Sequence, residues 1–196
     1  MTQAVTNPKL KLTFEEYLDY DDGTDNRYEW VNGELVALPP ESWENSKIAL
    51  YLLFELGKLV PLDRLCHKDT EIAVSASQTR LPDLMAIGSE LAAILKAAQR
   101  GTITLDMPPP DLVIEVVSPG KVNRERDYTE KRKQYAARGI PEYWIVDPND
   151  QVVVVLRLDA GVYSEVGRFQ GNEQITSPRF PELTLTAEQV LHPVFN

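Results

Sequence analysis

Two carboxylates in this sequence sit in settings where a free carboxylate is costly. Glu115 interrupts an apolar run, Leu112, Val113, Ile114, Val116 and Val117, that has the length of one buried strand. Asp83 follows Pro82 at the head of a second apolar run ending near Ile87. Burying an ionised carboxylate costs several kcal/mol unless it is paired, protonated or bound to a metal. Side chains alternate along a strand, so Asp111, Val113, Glu115 and Val117 share one face. If the strand beside Asp83 is its neighbour, Asp83 and Glu115 converge on one cation. Hard oxygen ligands suit Mg²⁺ or Mn²⁺, which keep several waters and take further ligands from phosphate. The competing reading gives Glu115 a basic partner and Asp83 a set of turn hydrogen bonds.

The surrounding elements decide whether that convergence happens. The run at 112–117 stops at Ser118, Pro119 and Gly120, and a polar helix is predicted over 123–137. Gly139 and Pro141 end the helix, and a second apolar run returns at Tyr143, Trp144, Ile145 and Val146. Strand, helix and strand at this spacing form a crossover unit with parallel strands and a right-handed connection. After a turn at 147–150, the run at 152–158 pairs antiparallel with 143–146, and 162–169 adds a further strand. Upstream, Thr13 and Glu16 fit a capping box that opens a short helix. Residues 27–38 read as a hairpin turning at Asn32 and Gly33. Ile48, Leu52, Leu56 and Leu59 or Val60 mark one face of a helix within 42–60. Strand-like runs follow over 64–74 and 80–87, the second made irregular by Pro82. A short helix over 89–99, a brief strand over 101–105 and a helix near 187–191 complete the pattern. The fold class is α/β with a mixed central sheet, in a single domain over 13–196 behind an arm at 1–12.

Composition narrows the function classes. The chain has 196 residues, enough for a real core, and one cysteine, Cys66, which excludes an intrachain disulfide and an all-cysteine metal site. The first residues lack the apolar stretch of a signal peptide, and no apolar run approaches the ~20 residues of a membrane helix, so a cytoplasmic protein is expected. A net charge of −10 argues against a surface that binds nucleic acid everywhere. Residues 121–138, however, carry seven basic and three acidic residues, leaving thirteen basic and twenty-seven acidic elsewhere. Charge alone favours a solvated helix face there; the other reading is a phosphate-binding surface, with Lys121, Arg124 and Arg126 as its candidate contacts.

Taken together, several pieces resemble a known family. They are Arg80-Leu81-Pro82-Asp83-Leu84, the stretch from Pro110 to Pro119, Lys131 with Tyr135, the stretch from Gly139 to Pro148, and Tyr28 to Leu35 in the hairpin. The set is similar to the Uma-two-type endonucleases, long labelled as of unknown function, in the PD-(D/E)XK restriction-endonuclease-like superfamily. The resemblance spans roughly 13–158 and is specific as a set rather than piece by piece. It implies a core of helix, three strands, helix and strand, with the hairpin added at the N-terminus. It also implies a Mg²⁺- or Mn²⁺-dependent hydrolase of phosphodiester bonds in nucleic acid, most simply DNA. Asp83 and Glu115 then hold the metal and act in catalysis. The superfamily's lysine two residues after the second acid is Val117 here, and by position Lys131 on the next helix takes its role. Glu34, just past the hairpin turn, matches a family position, while Asn45 falls where relatives often carry histidine. A homodimer would suit the superfamily, many of whose nucleases pair two sites. The alternative function is a nuclease-fold scaffold that binds a protein or nucleic-acid partner without cutting it, a reading favoured by Val117.

Overall fold

The computed structural model describes residues 11–195. Of the arm expected over 1–12, all but Lys11 and Leu12 lie outside the described residues; those two run along the hairpin. Leu12 donates its amide to the Gly33 carbonyl at 2.8 Å, and Lys11 bridges Glu34.

The chain opens with α1 (Phe14–Leu18), started by the expected reciprocal cap between Thr13 and Glu16. The hairpin of β1 (Tyr28–Val31) and β2 (Glu34–Ala37) follows. Asn32 and Gly33 have φ of 52° and 86°, the left-handed pair that a two-residue hairpin turn requires. Next come α2 (Trp43–Leu56), capped by Ser42, and a 3-10 turn at Leu62–Arg64. The run expected at 64–74 is split into β3 (Leu65–Cys66) and β4 (Glu71–Ser75). The run at 80–87 is split too, into β5 (Gln78–Arg80) and β6 (Leu84–Ala86). Then follow α3 (Ser89–Ala97), β7 (Thr102–Ile103) and β8 (Leu112–Val116). The crossover helix consists of α4 (Lys121–Glu125), a π-helical turn at Arg126–Lys131 and α5 (Arg132–Arg138), closed by Gly139 at φ 82°. Strands β9 (Glu142–Asp147), β10 (Val152–Asp159) and β11 (Val162–Phe169) precede the terminal α6 (Ala187–Leu191).

Where one mixed sheet was expected, the chain makes two. One has the order β2-β1-β5-β4-β7 and the other β11-β10-β9-β8-β6-β3, and each contains one parallel pair. Strands β8 and β9 are that parallel pair in the second sheet, as the crossover unit required. The chain passes from the second sheet to the first between β3 and β4, and back between β5 and β6. Both passages have local causes. Lys68, at φ 51°, turns the chain in the first, and Pro82, which cannot donate to a ladder, interrupts the second.

Strand β8 is buried along its whole length. Leu112, Ile114 and Val116 pack towards α2 and α6, together with Ile48, Leu52, Val190 and Leu191. Val113 and Val117 pack on the opposite side with Tyr135, Tyr143, Ile72 and Leu91. Each such large apolar side chain stabilises the fold by roughly 1.5–3 kcal/mol through burial. Glu115 alternates onto the side of Val113 and Val117, beneath the crossover helix. Among the described residues, no helix is long and apolar enough to cross a membrane.

Candidate active site

The pairing of β6 with β8 brings the two carboxylates together. They run antiparallel with Leu84 opposite Ile114 and Met85 opposite Val113, so the same register sets Asp83 against Glu115. Asp83 is pinned in place, its Oδ2 accepting the Val116 amide at 2.7 Å. Both carboxylates line a cleft of about 120 Å³ together with Glu29, Glu41, Lys68, Asn123, Arg126 and Lys131.

On the Glu115 side the partners come from the crossover helix. Lys131 Nζ lies 2.8 Å from Glu115 Oε2 and 3.1 Å from Asp127 Oδ1, and the Tyr135 hydroxyl donates to Glu115 Oε1 at 2.5 Å. Asp127, Lys131 and Tyr135 are spaced by four, so the helix offers all three towards β8. The π turn at Arg126–Lys131 contains the first two of them, and the Asp127 carbonyl accepts the Tyr143 hydroxyl at 2.9 Å. Single π turns inside α-helices frequently mark functional sites. Burial pushes the Glu115 carboxyl up to about 7, with the negative charges of Asp83 and Asp127 adding to the shift and Lys131 opposing it. Lys131 is held the other way. Burial alone would lower it, but the Glu115 and Asp127 carboxylates outweigh that and raise it, so the ammonium keeps its proton. Tyr135 is raised well above the usual phenol range by burial and the Glu115 charge, and serves as a donor.

On the Asp83 side the partners come from loops. Lys68 Nζ lies 3.2 Å from Asp83 Oδ1 and 3.3 Å from Glu41 Oε2. Glu41 immediately precedes the cap of α2, and its Oε1 accepts from Asn45 Nδ2 at 3.0 Å and from the Ser42 amide at 3.0 Å. Asn45 is buried, and its Nδ2 also faces the Val116 carbonyl at 3.4 Å. Burial raises Asp83 above the usual carboxylate range, against the pull of Lys68, Lys131 and the Val116 amide.

A third set of contacts fixes the chain on either side of Pro82. Arg80 Nη1 pairs with Glu29 Oε2 at 2.7 Å, Arg80 Nε donates to Gln134 Oε1 at 2.8 Å, and the Leu81 amide donates to Glu29 Oε1 at 3.2 Å. The hairpin, the irregular entry to β6 and the crossover helix are thereby tied around the cleft.

The chain matches the family model described as "Uma2: Putative restriction endonuclease" over residues 14–188. It belongs to the Uma2 family. A crystal structure of a putative nuclease belonging to DUF820, from Anabaena variabilis ATCC 29413, is similar to this Uma2 chain with a TM-score of 0.69. The alignment covers 92% of this chain and 97% of that one at 17% identity, so the likeness is one of fold, and it agrees with a restriction-endonuclease-like core. A comparison with curated proteins finds no match.

The cleft of this Uma2 chain gathers Asp83, Glu115, Lys131 and Arg126 from the residues singled out in the sequence. It does not gather the others. Arg124 turns away to Asp150 and to Asp147, 3.5 Å from its Nε, with its guanidinium over the Tyr128 ring. Lys121 is exposed and Glu34 sits on the outer strand β2, neither among the residues lining the cleft. Val117 is buried in the apolar cluster under the crossover helix. Three charged residues of the cleft were missed, Glu29, Glu41 and Lys68, and so was Asp127, the second carboxylate on Lys131. Only Asp127 carried a signal, its spacing of four from Lys131.

Proposed function

We propose that this chain is a metal-dependent endonuclease that hydrolyses phosphodiester bonds in nucleic acid, with DNA as substrate. The observation that carries the reading is the placement of Asp83 opposite Glu115 on adjacent strands, with the Lys131 ammonium 2.8 Å from Glu115 in the same cleft. Membership of the Uma2 family supports the same class of chemistry.

The donor set fits a small hard cation. Asp83 and Glu115 supply two carboxylates to one cleft. That suits Mg²⁺ or Mn²⁺, which bind through one or two carboxylates and fill their remaining positions with water and phosphate. When bound, such an ion lowers the pKa of a coordinated water and screens charge on the phosphate. The chain's own residues do the rest. Tyr135 fixes one oxygen of Glu115 and so orients the carboxylate. Lys131, kept charged by its two carboxylates, presents a positive group where charge develops on the phosphate. Arg126 on the cleft wall offers a fork to the phosphate on the flanking nucleotide.

The test is nicking of supercoiled plasmid in Mg²⁺ or Mn²⁺. Asp83→Ala, Glu115→Ala and Lys131→Ala should each suppress it by at least ~100-fold, the scale of losing one electrostatic catalytic group. Nicking that survives Glu115→Ala would overturn the assignment. A second reading, a nuclease-fold scaffold that binds without cutting, draws on one observation: Val117, where the superfamily's lysine is expected, is buried and apolar. Failure of the pure protein on double-stranded DNA, single-stranded DNA and RNA alike would favour it.

A further inference from the structure

The mechanism above leaves Lys68 without a task, yet Lys68 is the most unusual residue in the cleft. It is 8% exposed and occupies the left-handed backbone region at φ 51°, which a non-glycine residue adopts only at an energetic cost. That conformation lies in the passage between β3 and β4, and it carries the side chain into the cleft wall beside Asp83. The two carboxylates that Lys68 faces are each anchored by their other oxygen. Asp83 Oδ2 takes the Val116 amide, and Glu41 Oε1 takes Asn45 and the Ser42 amide. Asp83 Oδ1 and Glu41 Oε2 are thereby left aimed at one point, and Lys68 Nζ fills it at 3.2 and 3.3 Å.

The ammonium fills that point loosely. It is buried but meets hydrogen-bond geometry with no partner, so it acts on the two oxygens as a point charge. Two anchored carboxylate oxygens converging on a point charge are also what a small divalent cation requires. An ammonium on a flexible stem can leave such a position, because only its charge, and not a set of directed bonds, is lost on leaving.

We propose that Lys68 is a built-in counter-cation that holds Asp83 and Glu41 together in the metal-free protein and competes with a divalent ion for Asp83 Oδ1 and Glu41 Oε2. Glu41 thereby becomes an additional carboxylate of the metal position, and loading requires Lys68 to withdraw. The inference rests on the metal-dependent reading but speaks only of binding, so the two can fail separately.

The experiment titrates full-length, chelator-stripped protein with MnCl₂ by calorimetry and follows melting temperature in parallel. Lys68→Met should bind Mn²⁺ at least ~10-fold more tightly than the parent, since a positive charge within about 4 Å of the site is removed. Adding Glu41→Gln to Lys68→Met should abolish that gain. Without metal, Lys68→Met should melt lower than the parent, and Mn²⁺ should raise its melting temperature by more than it raises the parent's. Lys68→Gln, with a polar head of similar reach, carries the same expectations should the methionine variant fold poorly. Mn²⁺ affinity that is unchanged or weaker in both Lys68 variants would overturn the proposal. Absence of Mn²⁺ binding in every form would overturn both it and the metal-dependent reading. Tighter binding by Lys68→Met in a protein that cuts no nucleic acid would keep the counter-cation and remove the endonuclease.

Discussion

The cleft contains two lysines, each set between two carboxylates, and the two settings are built differently. Lys131 projects from the middle of a helix, approaches Glu115 and Asp127 to 2.8 and 3.1 Å, and shares Glu115 with a tyrosine hydroxyl. Lys68 projects from a loop in a costly backbone conformation and stands 3.2 and 3.3 Å from Asp83 and Glu41 without a directed bond. A lysine held by regular structure and short contacts is a fixed part of a site. One held by charge alone, on a loop, is exchangeable. The same residue type can thus serve as a permanent electrostatic group on one wall of a cleft and as a replaceable one on the other.

The largest test of that contrast is stability. Lys131→Met leaves two buried carboxylates beside each other and should destabilise the metal-free protein by about 3–5 kcal/mol, the usual cost of removing one partner from a buried ion pair. Lys68→Met should cost only about 1–2 kcal/mol, because its contacts are longer and include no directed hydrogen bond. Urea denaturation of the two variants in chelator measures both; equal losses would erase the distinction.

A second test uses pH. The Glu115 carboxyl ordinarily ionises at 4.5 and in the fold at about 7, so between those values the folded chain binds more protons than the unfolded one. Its stabilising contribution is therefore complete below about 4.5 and is lost as pH rises through about 7. Glu115→Gln cannot titrate and should lack that loss. The melting temperature of the parent in chelator, relative to the variant, should fall as pH is raised from 5 to 8. A constant difference would show that Lys131 fully compensates the charge.

A smaller effect separates two arginines of the basic segment. Arg126 lines the cleft, whereas Arg124 is engaged with Asp147 and Asp150. Arg126→Glu should weaken DNA binding and reduce the salt dependence by about one phosphate contact, a slope change near 0.9. Arg124→Glu should do less in the same gel-shift titration. The smallest effect is expected at Lys133, exposed on the crossover helix. Lys133→Ala should stay within ~0.5 kcal/mol of the parent in stability and leave nicking intact.

What the sequence made legible follows from what periodicity can carry. The crossover unit, the hairpin at Asn32 and Gly33 and the helix that begins at Ser42 were readable, because period-two and period-3.6 patterns and caps are local signals. Glu115 was readable because one charge in an apolar strand is conspicuous. The division into two sheets was not, because Pro82 announces an interruption without saying where the chain goes next. Lys68 and Glu41 were hidden for a related reason. Each lies in a short irregular segment, and their meeting with Asp83 depends on pairings between strands far apart in the chain. The basic segment misled in part. Counting charge over 121–138 treats its cations as one surface, whereas Lys131 is buried, Arg124 is tied to Asp147 and Asp150, and Arg138 donates to the Thr104 and Met107 carbonyls.

The π turn in the crossover helix has a consequence for how this site tolerates changes in length. An α-helix rotates about 100° per residue, and a π turn accommodates one residue more than an α turn, so it acts as a phase correction between the two halves of the helix. With it, Arg126 faces the cleft while Lys131 and Tyr135 both reach Glu115. Deleting one residue, Thr129 for example, would let the segment relax into an unbroken α-helix with its backbone bonds satisfied. The expected product keeps its circular-dichroism spectrum but loses the Glu115 contacts on one side of the deletion or the cleft-facing arginine on the other. A deletion variant that still nicked plasmid at the parental rate would show that the phase of this helix does not matter. In this region, then, a single-residue gap would silence the site while leaving the fold in place.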